Sequence, residues 1–344
     1  MKKTITILTV ALLSAGVLLI LPLCLAQMAG PPGPWTKYTG NPVIITGTVD
    51  SWDSNSVGDP AVISDGPAYK MWYDGGDTGG IHSIGYATST NGITWTKYAG
   101  NPVITGTIGN WDANVLNGDV VFDGIMYRMW YWGADSIPGI YAIGYATSTH
   151  GVAWTKYAGN PIITTGAASN WDSQYVLCPG VISDTGLYKM WYTGVDDGGT
   201  WSIGYVTSTN GISWTKYSGN PVLQTGPSGS WDASRVLCPE VVLDDTTYRM
   251  WYTGQDADGT RRVGYATSSD GISWTKSASN PVLGEGALDS WDANVMHVGV
   301  ILQGNAYEMW YTGGQDVWHT QIGYASAAAL KQIYLPVVLK SYRS

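Results

Sequence analysis

Lys189-Met190-Trp191-Tyr192-Thr193-Gly194, then Ile203-Gly204-Tyr205, then Gly211-Ile212-Ser213-Trp214-Thr215-Lys216 is the stretch that decides the fold. Apolar and polar side chains alternate along it as on half-buried strands, and Gly, Asp and Asn punctuate it as turns. The pattern recurs: Met-Trp-Tyr stands at Met71, Met129, Met190, Met250 and Met309, and Ile/Val-Gly-Tyr at Gly85, Gly144, Gly204, Gly264 and Gly323. Trp-Asp opens each unit at Trp52, Trp111, Trp171, Trp231 and Trp291, spaced by 59 or 60 residues. Self-similarity at such a period marks a repeat architecture. Four short strands per unit, repeated radially, predict an all-β, five-bladed β-propeller of four-stranded antiparallel blades over residues 35–326.

The ends of the chain specify how the ring closes. Four units finish with Trp-Thr-Lys, at Lys97, Lys156, Lys216 and Lys276, and the fifth stops at Tyr324 without it. The spare copy, Trp35-Thr36-Lys37-Tyr38, precedes the first unit. The N-terminal segment is therefore expected to complete the last blade, which also removes an exposed edge.

Composition narrows the function classes. The chain has 344 residues with 18 Trp, 23 Tyr, one Phe and 45 Gly, and a net charge of −9, which makes nucleic acid and anionic membrane surfaces poor partners. Residues 1–26 read as a secretory signal, with Lys2 and Lys3 before an apolar stretch and Ala26 at a cleavage point, a retained anchor being the alternative. A secreted, extracellular protein without a membrane partner, acting as a monomer, is expected. Residues 327–344 form a tail, too short to span a membrane, that packs on the propeller or serves as a terminal sorting segment.

Most aromatics recur in every unit and are assigned to packing between blades. The Trp-Asp pairs are expected to make a repeated turn or an inter-blade hydrogen bond, and Asp77, Asp135, Asp196, Asp256 and Asp316 to cap turns. Function is sought where the repeat breaks. On the strands nearest the axis one position reads Asp59, Asn117, Cys178, Cys238 and His297. Two residues on, and so on the same face of a regular strand, it reads Ala61, Asp119, Gly180, Glu240 and Gly299. Acids converging in a water-poor channel raise at least one pKa, which makes a neutral general acid. Paired carboxylates are the machinery of glycoside hydrolysis. Cys178 and Cys238, matched on adjacent blades, are compatible with a disulfide or with two buried thiols.

Asn-Pro-(Val/Ile), Asp59-Pro60, Lys/Arg-Met-Trp-Tyr and Ile-Gly-Tyr-Ala-Thr-Ser followed by Asn/Asp-Gly-Ile-x-Trp resemble the five-bladed propeller glycosidases of glycoside hydrolase families 43, 62, 32 and 68, with the family 130 phosphorylases as relatives. The resemblance implies a carbohydrate substrate, Asp59 as general base, Glu240 as acid and Asp119 as the residue that tunes it. It also implies that no cofactor is required, apart from an axial Ca²⁺ held through His297. Loops opening on the face of Asp59 differ between blades at His82, Tyr141, Trp201, Arg261-Arg262 and Trp318-His319. Asn117, Tyr141, Trp201, Arg261 and Trp318 are the expected sugar contacts. The expected function is a secreted hydrolase of arabinan-, xylan- or fructan-type linkages. The rivals are a non-catalytic sugar-binding propeller and a phosphorylase using Arg261 and Arg262 for phosphate.

Overall fold

The computed structural model describes residues 32–329 apart from 67, 136–138 and 317, and excludes the side chain of Asn117. The expected signal at 1–26 and the tail beyond 329 lie outside the described residues. In chain order the strands are β1 (Thr36–Lys37), β2 (Ser56–Asp65), β3 (Ala68–Gly76), β4 (His82–Ser89) and β5 (Trp95–Lys97). They continue with β6 (Asn114–Phe122), β7 (Tyr127–Asp135), β8 (Ile140–Ser148), β9 (Thr155–Lys156) and β10 (Tyr175–Asp184). Next are β11 (Leu187–Val195), β12 (Trp201–Ser208), β13 (Thr215–Lys216), β14 (Arg235–Asp244) and β15 (Thr247–Gln255). β16 (Arg261–Ser268), β17 (Thr275–Lys276), β18 (Asn294–Gln303), β19 (Ala306–Gly314) and β20 (Thr320–Ala328) are the last among the described residues. They form five four-stranded antiparallel sheets, β2–β5, β6–β9, β10–β13, β14–β17 and β18–β20 with β1. Closure is as expected: β1 pairs with β20 in the register Thr36↔Ser326 and Lys37↔Ala325.

The recurrent aromatics are architectural. Trp72, Trp130, Trp191, Trp251 and Trp310 are fully buried, one per blade. Four of these indoles donate to a glycine carbonyl of the next blade: Trp72 to Gly151, Trp130 to Gly211, Trp191 to Gly271 and Trp310 to Gly92, at 2.7–2.8 Å. Trp251, facing the blade that the N-terminus completes, has no partner for its Nε1 among the described residues.

Each Trp-Asp pair lies in a turn, the first of the two expected roles, and its carboxylate acts within a blade rather than between blades. Asp53, Asp112, Asp172 and Asp232 each accept from the lysine of the outermost strand of their own blade at 2.6 Å, and Asp292 accepts from Lys37 at 2.7 Å. Each carboxylate thus pins an outer strand of two or three residues that has little ladder of its own. The Trp of the pair lies over the Gly-Tyr glycine: a Cβ on Gly85 would sit 2.5 Å from the Trp52 ring, so only glycine fits. Asp77, Asp196, Asp256 and Asp316 cap their turns through backbone N–H groups, as expected.

The axial strands depart from regular alternation. Each carries a bulge, between Gly58 and Ala61, Leu116 and Asp119, Leu177 and Gly180, Leu237 and Glu240, and Met296 and Val298. Asp59, Cys178, Cys238 and His297 have φ of 47°, 49°, 50° and 40°, the left-handed conformation a bulge requires. The premise that Asp59 and Ala61, or Cys238 and Glu240, share one strand face therefore fails. The extra residue aims the first ring into the channel and offsets the second ring from it.

Candidate functional site

The bulges are held open from the neighbouring blade. Thr312 accepts from the Asp59 N–H at 2.9 Å, Thr193 from Cys238 at 2.8 Å and Thr253 from His297 at 3.0 Å. These threonines follow Met-Trp-Tyr in their blades. The first blade has Asp74 at that position and the second has Trp132. Sequence reasoning missed this break in the repeat, although it was visible beside the motif used for alignment.

An outer cavity of ≈ 400 Å³ opens at the start of the axial strands. Asp59, His297, Tyr141, Trp201, Arg261 and Trp318 all line it, so the structure brings these expected site residues together. Asp74, His82, Trp132, Tyr175 and Arg235 also line it and were not singled out as ligands. Aromatic rings make one wall: Tyr141 packs edge-on against Tyr175 at 4.4 Å and lies stacked beside Trp132 at 6.3 Å. His82 Nδ1 lies 3.0 Å from Asp74 Oδ2. The Asp74 charge pushes this imidazole up to about 9, while burial pushes the Asp74 carboxyl up. His297 Nδ1 pairs likewise with Asp59 Oδ1, and its Nε2 is buried without a partner among the described residues.

Further along the axis is a second cavity of about 30 Å³, room for roughly one or two waters. Asp59, Cys178, Cys238, Glu240 and His297 line it together with Pro179 and Pro239. Cys178 and Cys238 form a disulfide with Cα atoms 4.8 Å apart, resolving the two readings left open above. Asp59, Cys178 and His297 belong to both cavities, so the disulfide and the Asp59–His297 pair form the waist between them.

Glu240 enters only the inner cavity, and Asp119 lines neither of the two. Both reach across to the next axial strand: Glu240 accepts from the Val300 N–H at 3.1 Å, and Asp119 from the Val181 N–H at 2.6 Å; Asp119 also accepts from the Val120 N–H of its own strand at 2.7 Å. Burial pushes the Asp119 carboxyl up to about 7 against the pull of its two N–H donors. Burial, with the Asp119 charge adding to it, raises Glu240 well above the usual carboxylate range. The side chain of Asn117 lies outside the described residues. Arg262 is bound by Glu285 and Asp256 at 2.5–2.8 Å and does not line the outer cavity.

A family model described as the glycosyl hydrolases family 32 N-terminal domain matches residues 113–292. The chain belongs to this family. It is thus a propeller of the glycosidase group, a carbohydrate-active enzyme. A Mycobacterium tuberculosis protein, uncharacterized protein Rv1502, is 29% identical over 237 residues, covering 65% of this chain and 74% of its own. Among solved structures, a glycosyl hydrolase from Bacteroides ovatus superposes with a TM-score of 0.70 at 16% identity, over 87% of this chain and 96% of its own. A structure from work on family 130 enzymes that target β-1,2-mannosidic linkages in Candida mannan gives 0.69 at 17% identity, over 88% and 97%. A thermostable family-43 glycoside hydrolase gives 0.63 at 18%, over 82% and 89%. At these identities the structural likeness speaks to the fold.

The resemblance to arabinanase-like propellers also raised the expectation of an axial Ca²⁺ held through His297. Ca²⁺ takes six to eight oxygen ligands. The ligand atoms grouped with His297 are two sulfurs joined to each other; of the carboxylates nearby, Asp59 is paired with its Nδ1 and Glu240 with the Val300 N–H. This donor set does not fit Ca²⁺, and no step below passes through a metal.

Proposed function

We propose that this propeller is an exported, monomeric glycoside hydrolase that cleaves poly- or oligosaccharides with furanosidic or xylosidic linkages of the arabinan, xylan or fructan type. The observation that carries the mechanism is that Asp59 and Glu240 line one water-sized cavity adjoining an aromatic-walled one. In this reading the sugar occupies the outer cavity and the attacking water the inner. Asp59 takes a proton from that water as its oxygen bonds to the anomeric carbon. Glu240, kept protonated by burial and by the Asp119 charge, gives its proton to the leaving oxygen as the glycosidic bond breaks. Asp119 acts on Glu240 as a positioning and tuning residue.

A second reading of the acid rests on a different observation. The Asp74–His82 pair lines the outer cavity, where the leaving oxygen would lie, whereas Glu240 does not. An imidazolium titrating at about 9 is charged at neutral pH and can donate a proton.

Digestion of a glycan panel with product analysis tests the assignment on the wild type and on Asp59→Asn, Glu240→Gln and His82→Gln. Loss of turnover in Asp59→Asn and Glu240→Gln supports the first reading. Full activity in Glu240→Gln with loss in His82→Gln moves the acid to His82. Full activity in both Asp59→Asn and Glu240→Gln refutes the roles proposed for these carboxylates. Turnover that requires inorganic phosphate would make the enzyme a phosphorylase, in which Arg261 but not the carboxylate-bound Arg262 faces the cavity.

A further inference from the structure

The described arginines divide into two groups. Arg128, Arg249 and Arg262 each bind a carboxylate within 2.9 Å. Arg235 and Arg261 have no carboxylate partner among the described residues, and both line the outer cavity. An uncompensated guanidinium in a half-buried site is costly, and two side by side cost more. Burial, and then the neighbouring Arg235 charge, pulls the Arg261 guanidinium down to about 10, with Asp59 opposing. This arrangement persists in a chain whose net charge is −9, with 26 acidic residues available to neutralise it.

The placement is specific to the fourth blade. Arg235 on β14 and Arg261 on β16 both pair with Gln255 of β15, so they occupy one transverse row and project from the same face. In the other blades the Arg235 position holds Ser56, Asn114, Tyr175 or Asn294, and the Arg261 position His82, Tyr141, Trp201 or Thr320. Neither arginine is spent on the fold. The Arg235 guanidinium lies over the Trp201 ring at 4.6 Å from its centre. The Arg261 guanidinium meets the Met296 sulfur through Nη1, at 3.2 Å, and its buried Nε has no partner among the described residues. Trp132 Nε1, on the same cavity, is a further buried donor without a partner among the described residues. The site thus presents several donors and two guanidiniums beside aromatic faces, while the carboxylates that line it, Asp59 and Asp74, are paired with His297 and His82 rather than with either arginine.

We propose that the outer cavity recognises an acidic sugar, a uronic acid residue whose carboxylate is held between Arg235 and Arg261 while its ring lies against the aromatic wall. A planar guanidinium fork matches a carboxylate, and aromatic faces suit the C–H face of a pyranose or furanose ring. This inference rests on the reading of the outer cavity as the sugar site and adds the charge class of the sugar. Neutral arabinan, xylan or fructan chains leave the two cations unanswered, whereas chains carrying uronic acid branches or residues complete the site.

The test is calorimetric binding to the Glu240→Gln protein, in which turnover does not interfere, using a short oligouronide, its carboxyl-reduced neutral counterpart and inorganic phosphate. The expected result is a preference of about 10- to 100-fold for the oligouronide, the size of one or two charge-assisted hydrogen bonds, that shrinks as salt is raised. Arg261→Gln and Arg235→Gln should each erase most of this preference, with Arg261→Lys recovering part of it. Equal binding of acidic and neutral sugars overturns the proposal. Arginine-dependent binding of phosphate without an oligouronide preference also overturns it, and assigns the cations to a free oxyanion. If neither sugar binds, the outer cavity is not the sugar site, and the underlying reading fails along with the proposal.

Discussion

Lys37 Nζ lies 2.7 Å from Asp292 Oδ2, tying together residues 255 positions apart. The four equivalent pairs each join residues 44 apart within one continuous unit. This one has the same geometry but also seals the ring. Lys37→Met strands a buried carboxylate and frees β1, and should lower unfolding stability by about 1–3 kcal/mol. Urea titration checks this, with Lys156→Met, a pair that seals nothing, as the comparison. An unchanged midpoint for Lys37→Met would show that closure does not depend on the pair.

With Glu240 as the proposed acid, the pH dependence of turnover follows from its proton. A general acid must carry its proton, and burial keeps that proton on Glu240 well above the usual carboxylate range. Activity should therefore hold to higher pH than an exposed glutamate would allow and fall as pH rises through the Glu240 pKa. The Asp119 charge contributes to that elevation, so Asp119→Asn should move the alkaline limb of kcat to lower pH. A limb that stays in place would remove Asp119 from the tuning role.

The Asp74–His82 pair links stability to pH. The folded imidazole titrates at about 9 against an ordinary 6.5. Its contribution is complete below pH 6.5 and is lost as pH rises through about 9. The raised Asp74 carboxyl works in the same direction at lower pH, because the folded state again holds its proton longer. Melting temperature should thus decline from about pH 6.5 to 9 in the wild type, and less steeply in His82→Gln. Identical slopes would show that the pair does not govern this range.

The Cys178–Cys238 bridge closes a loop with a sequence separation of 60. Chain entropy alone assigns such a loop about 4 kcal/mol, an upper figure because residual structure in the unfolded chain reduces it. Cys178→Ser with Cys238→Ser should lower the thermal midpoint while leaving the propeller's circular dichroism intact. Since the bridge also forms the waist between the two cavities, access of water from the outer to the inner cavity should rise. Faster hydrogen exchange at the Val300 amide, which Glu240 holds, would report it. Exchange and melting that match the wild type would deny the bridge both roles.

The blade count and the closing strand were legible because a residue repeated five times in register leaves little ambiguity: Lys37 without a preceding Trp-Asp and Tyr324 without a following Trp-Thr-Lys have one mutual solution. The outer cavity was partly legible, since Tyr141, Trp201, Arg261 and Trp318 break the repeat on one rim. The bulges were not. Nothing in Gly58-Asp59-Pro60-Ala61 announces an inserted residue, and the positive φ of Asp59 comes from the Thr312 hydroxyl of another blade. Alternation therefore predicted two stacked rings, whereas the structure separates Glu240 from the cavity that holds Arg261 and Trp201. Asp74 and Trp132 went unnoticed because they adjoin a motif read as purely architectural. Arg235 was overlooked because its partner in the row, Arg261, lies on a strand two places away.

The pairing of β1 with β20 has a consequence for how the protein comes into being. The first described strand to emerge during synthesis has no partner until the last described one follows, so its pairing carries nearly the longest sequence separation the described residues offer. Four blades can assemble as their own segments arrive, but the fifth must wait for both ends. A protein delivered across a membrane as an unfolded thread would meet no premature ring on the way. Shortening either end would strike the same blade, beside Trp251, which alone of the five Met-Trp-Tyr indoles has no partner for its Nε1 among the described residues.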